Sequence, residues 1–160
     1  MSSRPRPAAP ATRSALPLED QTFIALQKAA DLLGQQAEQL VKANGLTGAQ
    51  YNVLRILRGA EPEGLGCSGI GERMISHDPD MTRLLDRMEK RGLITRKRQN
   101  DDRRVVKTRI TPEGLAILRK MDQPIRELHK RQFRHMSTAQ LKSLIDTLDQ
   151  ILSAEKTEGC

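Results

Sequence analysis

Apolar residues recur at steps of three and four from Phe23 onward, and Leu26, Ala30, Leu33, Ala37 and Leu40 continue the stripe to Asn44-Gly45. This spacing predicts one helix with a narrow a/d seam, stopped by a residue pair that ends helices well. Thr47-Gly-Ala-Gln-Tyr opens a second helix through Val53, Leu54, Ile56 and Leu57, closing at Gly59. A short helix is predicted from about Cys67 to Ile75. Asp78 as N-cap, with Pro79 at the first helical position, then starts a helix running to Arg91. In it, Met81, Leu84, Leu85 and Met88 stand at i, i+3, i+4 and i+7 and face inward. Asp80, Thr82, Arg83, Asp86, Arg87 and Lys90 are left on the outer face.

After Gly92 the pattern changes. Leu93 to Arg98 reads as a strand, Gln99-Asn-Asp-Asp as a turn, and Arg103 to Ile110 as the returning strand. Thr111-Pro112 caps a further helix carrying Leu115, Leu118, Met121, Ile125 and Leu128, in which Pro124 should force a kink or a brief break. Ser137-Thr-Ala-Gln140 is a capping box for a last helix, with Leu141, Leu144, Ile145, Leu148, Ile151 and Leu152 on one face. The expected fold is mainly α with a small β-hairpin wing, a winged helix-turn-helix. Its first helix and two last helices carry more apolar surface than so small a unit can bury. A dimer interface built from both ends of the chain, with C2 symmetry, is the economical outcome. The boundaries that follow are an arm at 1–16, a dimerisation helix at 17–45, a winged-helix lobe at 46–111, dimerisation helices at 112–155 and a tail at 156–160.

Composition narrows this further. Aromatics are 2% of the 160 residues and tryptophan is absent. The core must therefore be Leu, Ile, Val, Met and Ala, which suits helices. Net charge is +7, so an anionic partner is expected. The surplus is central: residues 46–111 hold 14 Lys/Arg against 9 Asp/Glu, whereas 1–45 hold 5 against 4 and 112–160 hold 8 against 7. Cys67 and Cys160 are too few for a disulfide framework or a zinc site. No apolar run approaches a membrane span and the Pro/Ala-rich start does not read as a secretory signal, so the cytoplasm is the expected location.

The outer face of the helix at 79–91 and the hairpin behind it carry the chemistry. Arg83 and Arg87 lie one turn apart, and a guanidinium fork can bond guanine O6 and N7 together or clamp a phosphate. Thr82 offers a hydroxyl and a methyl, and Lys90 extends the basic face. A solvated charged surface would look the same on the helix alone. The hairpin tips the balance, with seven Lys/Arg from Arg96 to Arg109. Of these, Arg98, Arg103, Arg104 and Lys107 are expected to follow phosphates or enter a minor groove. Asp102, two residues before Arg104, is expected to brace its guanidinium.

Three segments carry a specific resemblance: L-T-G-A-Q-Y-N-V-L from Leu46, M-T-R-L-L-D-R-M-E-K-R-G-L-I-T-R from Met81, and D-R-R-V-V-K-T-R-I-T from Asp102. They look like the MarR family of bacterial transcription regulators, over about residues 18–155. The most specific element is Asp-x-Arg in the wing followed by a strand ending in Thr. The resemblance implies a dimeric winged-helix protein, most often a repressor, with the helix at 79–91 in the major groove. It also implies Arg104 in the minor groove, oriented by Asp102. It further implies a small phenolic or other anionic effector held near Leu26, Ala30, Tyr51 and Arg55. The recognition helix departs from the family pattern in beginning with Ser76-His-Asp-Pro-Asp80. Asp80 can accept from cytosine N4 or pair with Arg83, and the local pair is favoured.

Other features are plainer. The glycines at 64, 66, 69 and 71 suggest close backbone packing. His77, His129 and His135 have no metal-ligand spacing and are expected at the surface. Cys67 starts a helix whose dipole could lower its pKa, but a small buried apolar residue is the favoured reading. No catalytic constellation or cofactor motif is present in the sequence, so the expected partners are double-stranded DNA, a second copy of the chain and a small effector, with no membrane. Two rivals remain, a non-specific architectural DNA-binding protein and a winged-helix module that docks an acidic protein.

Overall fold

Capping residues set where the helices begin. Thr47 Oγ1 accepts the Gln50 N–H (3.2 Å) and Gln50 Oε1 accepts the Thr47 N–H (3.1 Å). This reciprocal pair satisfies two otherwise orphaned donors at the head of a helix. Ser137 and Gln140 repeat the arrangement at 3.3 and 2.8 Å.

The computed structural model describes residues 16–76, 78–98 and 106–158. The order is α1 (Leu18–Ala43), α2 (Gly48–Arg58), α3 (Cys67–Gly71), α4 (Met81–Lys90), β1 (Ile94–Arg98), β2 (Val106–Ile110), α5 (Pro112–Gln132) and α6 (Thr138–Glu158). The chain divides into two units, Met1–Gly34 and Gln35–Cys160. The first holds the beginning of α1, where Phe23 is 63% exposed and Leu32 59%.

The second unit contains the core. Leu54 and Leu57 of α2, Ile70 of α3, Leu84, Leu85 and Met88 of α4, Ile94 of β1 and Leu118 and Met121 of α5 are buried together. Val41, near the end of α1, and Leu46, after it, join them. β1 and β2 pair antiparallel with Ile94 opposite Ile110 and Arg98 opposite Val106. The outer edge of β2 is also occupied: Leu65 and Thr108 exchange both backbone hydrogen bonds, at 3.0 and 2.8 Å. The hairpin therefore has a third, single-residue strand that sequence patterning did not reveal.

Gly64 makes that bridge possible. Its φ is +68°, and a Cβ there would stand 2.5 Å from the Thr108 carbonyl oxygen. The expectation of close packing thus holds at Gly64. It does not extend to Gly66, Gly69 or Gly71, where an added Cβ meets nothing closer than 3.6 Å. Gly114 is a second tight point, where α5 crosses the base of the wing: a Cβ would collide with the Leu93 carbonyl and lie 2.9 Å from Ile110 Cγ1.

Three local expectations need correction. The helix predicted from Cys67 to about Ile75 ends at Gly71, and Ile75 is 80% exposed, so it contributes no inward face to extend the helix. Of the kink or brief break expected at Pro124, the break does not occur: α5 is continuous from Pro112 to Gln132. The proline lies on its exposed side, where water can satisfy the carbonyl that loses its partner. Cys67 is exposed rather than buried.

Candidate nucleic-acid interface

The helix that presents the outer face begins two residues later than predicted. Asp78 Oδ1 accepts the Asp80 N–H (2.9 Å), which closes an Asx turn around Pro79 instead of capping the helix. Asp80 becomes the N-cap residue, with φ −120° and no side-chain cap bond. Its carboxylate lies 3.4 Å from Arg83 Nε, the local pair favoured from the sequence. So exposed a pair contributes little stability. Leu84, Leu85 and Met88 anchor α4 in the core, and Thr82, Arg83, Arg87 and Lys90 are exposed together on the other side.

Polar contacts at its C-terminal end also fasten this helix to the rest of the lobe. Arg91 donates from Nη1 to Gln50 Oε1 (3.1 Å) and from Nη2 to the Gly45 carbonyl (2.8 Å), tying the end of α4 to the capping box of α2. At the foot of the wing, Thr111 Oγ1 donates to the Gly92 carbonyl (2.6 Å) and accepts the Gly114 N–H (3.1 Å). One hydroxyl thus fastens the turn after α4 to the first turn of α5. This gives a physical reason for the Thr that closes the wing pattern.

Strand register sorts the basic residues of the wing. Thr95, Lys97, Lys107 and Arg109 share one face, and Ile94, Arg96, Arg98, Val106, Thr108 and Ile110 share the other. Arg98 and Lys107, named together from the sequence, therefore lie on opposite faces. Lys107 is instead directly opposite Lys97 and two residues from Arg109 on the same face, two cations the sequence reading had not singled out. Applying the two-residue strand period to both strands would have found them. Like charges directly opposed in a sheet are destabilising, so this face favours an anion laid along it. Arg96 turns inward to α4 and is bonded to Asp86 and Glu89. Its charge cannot be counted with the cations that face a duplex. Asp102, Arg103 and Arg104 lie outside the described residues, as do His77, Cys160, residues 1–15 of the arm and the turn that begins at Gln99.

The exposed basic helix beside a basic hairpin coincides with a family match. Residues 46–106, from just before α2 into β2, match the MarR family model. The organic hydroperoxide resistance transcriptional regulator of Bacillus subtilis (strain 168) is 32% identical over 136 residues, covering 84% of this chain and 91% of the relative. The chain belongs to the MarR family. It is a DNA-binding transcriptional regulator. The homoprotocatechuate degradative operon repressor of Escherichia coli is 26% identical over 136 residues, covering 85% and 90% of the two chains. The crystal structure of a MarR transcription factor from Planctomyces limnophilus superposes with a TM-score of 0.64 at 34% identity, covering 86% of this chain and 99% of that one.

In this MarR-family lobe β1–β2 form the wing, and α4 presents the exposed basic face expected from the sequence to enter the major groove. Of the residues assigned to an effector, Leu26 is half-buried and Ala30 exposed, both in the first unit. Tyr51, in the second unit, packs against the core, and Arg55 donates to Asn52 Oδ1 (3.2 Å). His129 and His135 are exposed.

Proposed function

We propose that the protein is a homodimeric repressor whose two recognition helices read a pseudo-palindromic operator. The observation that carries this is the exposed row Thr82, Arg83, Arg87 and Lys90 on a helix whose opposite side is locked in the core. Arg83, Arg87 and Thr82 supply base preference. Lys90 and the wing cations Lys97, Arg98, Lys107 and Arg109 supply phosphate contacts. Arg103 and Arg104 are assigned to DNA contact by the family resemblance, which implies Arg104 in the minor groove supported by Asp102.

Dimerisation is supported by α6. None of residues 138–154 is buried, and Ile145 (57%) and Leu152 (64%) are as open as Phe23 in α1. A long helix with no fully buried residue from 138 to 154 needs a second surface, because most helix stability in proteins comes from packing an apolar face. A two-fold pair places the recognition helices about one turn of DNA apart. The affinity of the dimer responds to a small phenolic or anionic effector. Among the described residues no helix is long and apolar enough to cross a membrane, and the site of action is the cytoplasm, where the genome lies.

The test is footprinting on DNA upstream of the protein's own gene with a large excess of random duplex present. A protected two-fold symmetric site overlapping the promoter is the expected result. Uniform, salt-sensitive coating of all DNA would overturn sequence-specific repression in favour of an architectural role.

A further inference from the structure

One cation of the wing is already committed to the protein. Arg96, on β1, donates through Nε to Glu89 Oε2 (2.9 Å), and through Nη2 to Glu89 Oε2 (2.7 Å) and Asp86 Oδ1 (2.5 Å). Its backbone N–H donates to Glu89 Oε1 (3.0 Å). Both carboxylates belong to the recognition helix, three residues apart and so on the same side of it. The Arg96 side chain is 25% exposed, against 78% for Arg83. Its hydrogen bond to Glu89 raises the guanidinium pKa further above its ordinary value, against the opposing effect of burial, so it remains charged at every pH at which the protein is studied.

The geometry has two consequences. A planar fork with three points of attachment fixes the angle between β1 and α4, which one ammonium at the same place could not do. It also sets one positive charge against the two negative charges on the helix that must approach phosphates. The neighbouring wing cations differ in kind: Lys97 and Arg98 are exposed, and Lys97 faces another cation across the hairpin.

We infer that Arg96 is a positioning residue for DNA reading, which locks the wing to the recognition helix and offsets part of the negative charge of Asp86 and Glu89 without itself touching the duplex. This rests on α4 and the wing gripping DNA together. It adds that the grip is rigid and that its charge balance is set inside the protein.

The test is a mutant cycle in the full-length protein. Arg96→Ala and Arg96→Lys are compared in the wild-type background and in one carrying Asp86→Asn with Glu89→Gln. Binding to a fluorescein-labelled random-sequence duplex is followed by anisotropy across a salt series. Hydrogen exchange at the β1 amides is measured without DNA. Both Arg96 substitutions are expected to weaken binding on the order of tenfold in the wild-type background and much less when the carboxylates are neutral. Exchange at β1 should accelerate in DNA-free Arg96→Ala. If Arg96 instead bonds phosphate, Arg96→Lys retains affinity, Arg96→Ala costs the same in both backgrounds, and the log–log salt slope falls by about 0.9; that pattern overturns the inference. Should Arg96→Ala fail to fold by circular dichroism, Arg96→Lys in the two backgrounds carries the cycle. A wild-type protein that binds no duplex refutes the DNA reading separately. In that case unchanged β1 exchange in the Arg96 variants would still overturn the lock.

Discussion

Thr111→Val removes one hydroxyl and keeps the shape of the side chain, which makes it a direct probe of how the wing is fastened. Two hydrogen bonds disappear: the Gly114 N–H loses its acceptor and the Gly92 carbonyl loses its donor. Loss of an N-cap acceptor typically costs about 1 kcal/mol. The second bond contributes about 1 kcal/mol net, with no further penalty because Gly92 is exposed and water can replace the donor. The sum is about 2 kcal/mol, which for a chain of 160 residues lowers Tm by roughly 4–8 °C. Thr111→Ser is the matched control. It keeps both bonds and loses one methyl from a site that is 8% exposed, at a cost of about 0.8 kcal/mol. Urea unfolding followed by circular dichroism, at one fixed protein concentration because association shifts stability, should rank wild type above Ser and Ser above Val. A Val variant as stable as wild type, or more stable than Ser, would show that the hydroxyl does not join α4 to α5 energetically.

Gly64→Ala places a Cβ against the Thr108 carbonyl at a φ of +68°, and strain of this kind costs about 1–3 kcal/mol; a change in unfolding free energy near zero would contradict the Leu65–Thr108 bridge. On the footprinted operator, Arg83→Ala should relax preference at one base pair by about 1–3 kcal/mol. Lys107→Ala should weaken all duplexes alike and reduce the salt slope by about 0.9; the same profile for both variants would undo the division between reading helix and wing. Ile145→Asp combined with Leu152→Asp should convert the proposed dimer to monomer in sedimentation velocity, and a dimer that persists would place the interface elsewhere. Arg104→Ala should lower affinity for every duplex, checked by the same anisotropy titration, and unaltered binding would remove the wing tip from the contact surface.

The sequence by itself determined whatever depends on residues a few positions apart. The helix start at Thr47, the capping box at Ser137, the Thr111 cap, the stop at Asn44-Gly45 and the inward set of Leu84, Leu85 and Met88 were all legible, because a helix turn brings i, i+3 and i+4 together whatever the rest of the chain does. The Asp80–Arg83 pair was legible for the same reason. Even locally there was competition. Asp78 had two backbone partners within reach, and the Asx turn prevailed over the cap, so α4 starts at Met81. The tertiary structure alone decided which charges remain available. Arg91 meets Gln50 across 41 positions and Arg58 meets Asp122 across 64, while Arg96 reaches Asp86 and Glu89 only because β1 folds back along α4. In sequence Arg96 and Lys97 are adjacent and carry the same charge. The pleat of one strand sends them to opposite faces, one against carboxylates and the other to solvent, and that difference arises only when the strand is laid against its helix.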